Sequence, residues 1–291
     1  CEFFYHTSGY DVDFDDEFFP ASDNHLAGVF LKNSHLLLNL QAADAGLSPT
    51  NFQANTFPAH FRNKISAIHE GINTEALRPH PNVTFELKKG HVLTRKNAVI
   101  TFVARALEPY RGFHTFMRAL PRILSENQNA TILIVGQEGI AYGPEPPTQD
   151  SWKQLMSAEI FPKLSPSEAS RIHFLGLLSR TRFTSLLQVS SVHVYLTYPF
   201  VLSWSLIEAM SVGCSIVASD TEPVREVLEH NETGLLFNFF DHDQLSNHIR
   251  LLLNDEGHRY ALSNAARQFA IENYDLQAVC LPKQVIWAEN S

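Results

Sequence analysis

The chain has 291 residues, 44% hydrophobic and 18% charged, which suits one large or two ordinary globular domains and excludes wholesale disorder. Its 22 basic and 31 acidic side chains give a formal net charge of −9, without the basic face that a nucleic-acid partner requires, although a few local arginines can still hold a phosphate. Cys1, Cys214 and Cys280 make neither a disulfide framework nor a cysteine-rich zinc site, and no apolar run approaches the ~20 residues of a membrane span, so the expected setting is the reduced cytosol. The opening Cys1-Glu2-Phe3-Phe4-Tyr5 has neither a methionine nor a signal pattern, and the chain is expected to be a piece of a longer protein.

Residues 11–17 hold five acids without the glycine and distal glutamate of a calcium loop, and read as a solvated acidic loop. Apolar residues over 33–44 (Leu36, Leu37, Leu38, Leu40, Ala43) predict a buried helix. Gly46-Leu47-Ser48-Pro49-Thr50 is a turn before a fresh helix, and Ile65-Ser66-Ala67-Ile68 is a short apolar stretch. The proline-bearing, non-periodic segment from Leu77 to Pro81 marks a linker, taken as 76–97. From residue 98 short continuous apolar runs alternate with helical spacing. Strands are predicted over 98–104, 131–136, 172–176, 192–196 and 215–218, and helices over 112–124, from Ser151, 204–211, 223–229 and 241–253. Ser165-Pro166-Ser167-Glu168 has the form of a capping box. That rhythm means βαβ units, a parallel sheet, and ligands at the carboxyl ends of its strands.

The dinucleotide, Walker, zincin and nucleophile-elbow motifs are absent. None of the 14 histidines falls into a spaced cluster, and His173 and His193 sit within strands where packing explains them. Two constellations carry chemistry. Arg105 and Arg111 follow the strand at 98–104, which places two fixed positive charges near the ligand edge of the sheet; they suit a pyrophosphate or are a pair of surface arginines. Tyr198 to Met210 runs from a strand end through a turn into a helix starting near Ser203, whose free N–H groups make an anion site. Glu208, one turn in, either meets a ligand or closes a capping box with Ser205.

Residues 98–272 resemble the C-terminal, nucleotide-sugar-binding domain of the family 4 (group 1) glycosyltransferases of the GT-B fold. The resemblance rests on Arg105 with Arg111-Gly112, on Phe174-Leu175-Gly176, on Glu208-Ala209-Met210-Ser211-Val212-Gly213 followed by Ser215 to Ser219, on Val224-Arg225-Glu226-Val227, and on Asn231 to Leu236. The family carries two glutamates separated by seven residues; here the first is Phe200, and its Gly-Phe-Gly turn is Val201-Leu202-Ser203. Residues 1–75 resemble the closing half of the family's N-terminal domain, and residues 273–291 its C-terminal helix that crosses back.

The resemblance implies an α/β, GT-B protein with two Rossmann-like domains on parallel sheets, the first incomplete. It implies Arg105 and Arg111 as catalytic stabilisers of the departing diphosphate. The donor-binding set it implies is Leu175 and Gly176 beside the base, Phe200, Leu202, Ser203 and Trp204 along the turn and helix start, and Glu208 on the ribose. No cofactor or metal is expected; the nucleotide sugar is the donor substrate. The expected function is transfer of a sugar, with retention, from a nucleoside diphosphate sugar to a saccharide or lipid-linked glycan. Any peripheral membrane contact would lie in the part of the N-terminal domain outside this chain. Two other readings are a nucleotide-sugar-binding module with little turnover, which Phe200 favours, and a nucleotide-sugar epimerase of the same fold.

Overall fold

The computed structural model describes Glu17, Phe18 and residues 23–290. The acidic run at 11–17 therefore lies outside the described residues except for Glu17, which pairs with Arg118. In chain order the elements are α1 (Asp23–Ala42), β1 (Gly46–Ser48), α2 (Asn51–Thr56), α3 (Ala59–Arg62), β2 (Ile65–Ala67), β3 (Thr84–Lys88), β4 (His91–Thr94), β5 (Val99–Ala106), α4 (Phe113–Glu126) and β6 (Thr131–Gln137). They continue with α5 (Trp152–Ile160), α6 (Pro166–Ala169), β7 (Ile172–Phe174), α7 (Arg180–Val189), β8 (Val192–Tyr195), α8 (Trp204–Ser211), β9 (Ser215–Ser219), α9 (Glu222–Arg225), β10 (Leu235–Phe237), α10 (His242–Asn254), α11 (Glu256–Tyr274) and α12 (Leu281–Asn290).

Six parallel strands form one sheet in the order β10-β9-β8-β5-β6-β7. Their near-continuous apolar runs follow from burial on both faces. Successive residues feed two cores: Ile100, Phe102, Ile132, Ile134 and Val194 meet α4, α5 and α10 on one face. Val99, Leu133, Val135, Ile216 and Ala218 meet α7, α8 and α11 on the other. The chain leaves β5 in one direction to β6 and β7, then returns to lay β8 on its other side. The strand order thus reverses between β5 and β8, and the crevice outside their carboxyl ends is where such sheets bind ligands. Gly112 fixes the approach there. Its φ of +65° is left-handed, and a Cβ on it would lie 2.3 Å from the Cβ of Leu196, just past the end of β8.

The remaining strands are peripheral. β1 and β2 pair in parallel, and β3 and β4 form an antiparallel hairpin. The segment 76–97, expected as a linker, is thus largely ordered: Leu77, Val83, Phe85 and Leu93 are buried in the same core as α7 and α8. Its prolines had masked a short alternating pattern. The helix expected over 33–44 begins at Asp23, and over 33–42 it is buried on one face only. Asn33 and Leu36, one turn apart, are inside, while Leu38 is exposed. The helix expected over 223–229 is the single turn α9, whereas the Ser165 capping box forms as the spacing predicts. β10 went unread because it is only three residues long.

After α11 the chain crosses back toward β1 and β2. Ile72 N–H donates to Tyr274 O at 2.9 Å, and Leu276 N–H donates to Ile72 O at 2.8 Å. Asp275 accepts from the Thr74 hydroxyl, which holds its carboxyl below the usual carboxylate range. Gln284 on α12 donates to His69 O at 2.9 Å. A second tie comes from Glu226, whose carboxylate accepts from the N–H of Asn51 at 2.9 Å and from that of Phe52, at the exposed start of α2.

His193, in the middle of β8, is wholly buried. Its Nδ1 lies 2.9 Å from the Thr101 hydroxyl, and its Nε2 has no partner among the described residues. Burial pushes its pKa down to about 3. The unfolded ring titrates near about 6.5, so below that pH the unfolded chain takes up a proton that the folded ring refuses. This contribution is therefore complete above about pH 6.5 and is lost as pH falls toward 3. Urea unfolding should show the wild type losing ~2 kcal/mol more between about pH 7 and pH 5 than His193→Val, since one proton is worth ~1.4 kcal/mol per pH unit. Equal losses in both proteins would contradict a neutral buried ring.

Candidate functional site

Arg105 and Arg111 both lie at the crevice outside β5 and β8, but in opposite environments. Arg105 is exposed and makes no hydrogen bond or ion pair among the described residues. Arg111 is not the surface arginine that spacing alone allowed. It is 5% exposed, because the turn Pro109–Arg111 and the left-handed Gly112 fold it back toward the end of β8. Its Nη1 donates to Thr197 Oγ1 at 2.9 Å, to Val201 O at 2.8 Å and to Tyr195 Oη at 3.4 Å. The rings of Tyr142 and Phe200 flank its guanidinium, with centroids at 5.3 and 5.5 Å. Every one of these partners is neutral, and Arg111 meets no carboxylate among the described residues. A buried cation without a counter-charge is costly to hold.

The loop carrying Tyr142 is held by Glu108, which sequence reasoning did not single out. Glu108 is fully buried, and its carboxylate accepts from the backbone N–H of Ala141 (3.3 Å), Tyr142 (3.2 Å) and Gly143 (3.0 Å). An anion thus fills the concavity made by three successive amides, and the loop delivers Tyr142 over Arg111.

The expected helix start is at Ser203, the N-cap of α8, but most of its N–H groups are already used. Ser203 N–H donates to Tyr195 Oη at 2.8 Å, Ser205 N–H to Ser203 Oγ at 3.3 Å, and Leu206 N–H to Ser203 O at 3.2 Å. The Trp204 N–H is left without an intramolecular partner among the described residues, so the anion site at this terminus narrows to one amide. The Trp204 side chain is exposed.

Because Ser203 caps α8, Ser205 stands inside the helix, and the capping box with Glu208 does not form. The Glu208 carboxylate turns instead to Arg180 at the start of α7, with Nη1 to Oε1 at 2.5 Å. Burial pushes its pKa up, and the Arg180 guanidinium opposes that rise. Arg180 was hidden from sequence reasoning, since nothing local links it to a residue 28 positions away.

Leu175 and Gly176 end the β7 segment. Leu175 N–H donates to Ile134 O at 2.8 Å, and Gly176 is exposed, with a left-handed φ of +62° and open space where a Cβ would point. The same loop reaches Arg180 four residues later, and so leads to Glu208. Phe200 is 3% exposed and packs beneath Tyr142 and Arg111 against Tyr110; it shapes the site from below. Leu202 is buried in the core shared with α8. The structure therefore joins Arg111 to Phe200 directly and to Ser203 at the start of α8 through Tyr195, and joins Glu208 to Arg180, which lies four residues beyond Gly176. Arg105 shares the crevice without bonding to any of them.

Comparison with known proteins gives the family. A family model described as Glycosyl transferases group 1 matches residues 83–269, and one described as Glycosyl transferase family 4 group matches residues 1–77. The chain is 26% identical over 189 residues to the phosphatidyl-myo-inositol mannosyltransferase of Mycolicibacterium smegmatis, covering 64% of this chain and 43% of that protein. It is 28% identical over 219 residues to the N,N'-diacetylbacillosaminyl-diphospho-undecaprenol alpha-1,3-N-acetylgalactosaminyltransferase of Campylobacter jejuni, covering 73% of this chain and 51% of that protein. The chain thus spans about half the length of these relatives. Among solved structures, HepE of Anabaena in complex with UDP-glucose superposes with a TM-score of 0.71 at 18% identity, covering 92% of this chain and 70% of that one. The sucrose-phosphate synthase of Thermosynechococcus elongatus gives 0.70 at 18% identity, covering 92% and 63%. The fold is GT-B, with the six-stranded parallel sheet as its Rossmann-like unit, and the chain belongs to the group 1 glycosyltransferases.

Proposed function

We propose that this chain carries the donor site of a retaining glycosyltransferase that moves a sugar from a nucleoside diphosphate sugar to a saccharide or lipid-linked glycan. The observation that carries this reading is Arg111, a buried cation whose partners are all neutral, at the switch point of a parallel sheet. An anionic ligand supplies the charge it lacks, and the exposed Arg105 at the end of β5 offers a second cation to a diphosphate. In the transfer, the bond from the anomeric carbon to the diphosphate breaks and the acceptor oxygen bonds to that carbon. The hydroxyl proton leaves with the diphosphate. Charge grows on the departing phosphate, where Arg105, Arg111 and the Trp204 N–H stabilise it without reorganising. No divalent ion is assigned a part. Glu208 accepts from a ribose hydroxyl, and Gly176, with no side chain, lets the base approach the loop backbone.

The relatives' names support this reading: they transfer mannose or N-acetylgalactosamine to phosphatidylinositol or undecaprenol-linked acceptors. A lipid-linked acceptor would bring the protein to a membrane surface, and among the described residues no helix is long and apolar enough to cross a membrane. Product analysis with and without acceptor tests the reaction class. Transfer supports the proposal, donor binding alone supports a binding module, and donor isomerisation supports an epimerase.

Titration calorimetry with uridine, guanosine and adenosine diphosphates should detect binding of at least one to this chain. Silence from all three, on folded protein, would reject the donor site. Glu208→Gln should weaken that binding by ~1.5–3 kcal/mol, the worth of a hydrogen bond to a charged group, at unchanged melting temperature.

Arg105→Ala should lower kcat by ~10²–10³, or ~2.7–4 kcal/mol, with a smaller loss of donor affinity and no loss of stability. Arg111→Ala should lower kcat as much and also lower the melting temperature, since it unties Thr197 and Val201. A chelator should leave the wild-type rate unchanged. Normal turnover by Arg105→Ala, or a rate abolished by chelation, would contradict the arginine clamp.

A further inference from the structure

The Glu208 carboxylate is used asymmetrically. Oε1 accepts from Arg180 Nη1, whereas Oε2 has no hydrogen-bond partner among the described residues. The pair is also asymmetric in exposure. The Glu208 side chain is 7% exposed and that of Arg180 is 61% exposed, so the arginine reaches in from solvent to a carboxylate sunk in the wall.

Helix stability does not explain Arg180. It is the first residue of α7, with Arg182 two further on, where the helix dipole disfavours cations. Arg182 has its own partner, the carbonyl of Glu86 at 3.1 Å. Charged and titratable groups on the neighbouring elements are also engaged elsewhere. Arg267 of α11 donates to the carbonyls of Leu77 and Ser211, and Tyr195 of β8 faces Ser203 N–H and Arg111. α8 carries no other charged side chain. Among the described residues, Arg180 is the charged group that faces Glu208, and the Phe183 ring, 5.7 Å from its guanidinium, backs it.

We propose that Arg180 is a positioning residue of the donor site, holding Oε1 of Glu208 so that Oε2 is presented, ionised and fixed, to a ribose hydroxyl. This rests on the donor-site reading above. A carboxyl in that wall favours its neutral form, and a neutral acid is a poor acceptor with a rotatable proton. Arg180 prevents that while leaving half of the carboxylate free. It touches the carboxylate and not the reacting atoms.

Two measurements on this chain test the proposal. The first needs no nucleotide: carboxyl ¹³C NMR follows the ionisation of Glu208 in the wild type and in Arg180→Ala, where its pKa should move up. The second is calorimetric titration with uridine, guanosine and adenosine diphosphates at about pH 6 and pH 8. Wild-type affinity should be nearly level between them. Arg180→Ala should bind more weakly, by about tenfold at the lower pH and less at the higher, as expected for a buried carboxyl whose neutral form gains once the opposing guanidinium is removed. Arg180→Lys should restore the level profile, which a merely structural role for the side chain would not require. Glu208→Gln should be weak and level, and adding Arg180→Ala to it should change nothing further. An Arg180→Ala protein with a wild-type pH profile, or an unmoved Glu208 titration, overturns the proposal. A wild type that binds none of the three nucleotides overturns the donor-site reading and the role of Oε2, while the NMR titration still decides whether Arg180 governs the carboxyl.

Discussion

The buried guanidinium of Arg111 is the interaction on which the site depends. One nitrogen gathers three chain segments: Thr197 beyond the end of β8, Val201 in the turn that follows, and Tyr195 within the strand. Arg111 itself belongs to the turn between β5 and α4. The two strands that flank the topological switch are therefore bonded across the crevice by the charge that the crevice presents. Tyr195 extends the tie by accepting from Ser203 N–H, which sets where α8 begins. The start of α8 in turn decides that Glu208 falls beyond capping reach and faces Arg180.

Carboxylates within the chain occupy two of its own amide clusters. Glu108 fills the concavity at 141–143, and Glu226 meets the first amides of α2. In both cases a side chain takes the place an external anion would otherwise seek at exposed N–H groups. At the crevice, among the described residues, Arg105, Arg111 and the Trp204 amide have no carboxylate partner. Phe200 fits the same division. Where the resemblance leads one to expect an acid, an apolar ring lies against Arg111, and the local positive charge is not cancelled there.

The sheet was legible because its strands are buried on both faces, and an uninterrupted run such as Thr131 to Val135 has few other readings. The helix start at Ser203 and the capping box at Ser165 were legible for a local reason, since the cap oxygen and the N–H that donates to it lie within three residues. What sequence alone left open depends on contacts between distant residues. The Glu108 carboxylate and its amides are 33–35 positions apart, Arg180 and Glu208 are 28 apart, and Glu226 and Asn51 are 175 apart. No periodicity records such pairs. The two readings of Glu208, and the two readings of the arginine pair, differed only in tertiary placement. Packing decided that Glu208 does not cap its helix, and it separated Arg111 from Arg105, which spacing had treated alike. The hairpin at 84–94 was obscured by the prolines before it.

The chain crosses between its two parts twice, at Ile72 and at Asp275, and the two crossings are hydrogen-bonded to one another side by side. Two extended segments joined this way resist sliding along their length, because sliding breaks both bonds at once. Bending across the pair breaks neither. The contact of the Glu226 carboxylate with the first amides of α2 adds a further tie from residues 51–52 to residue 226, apart from that pair.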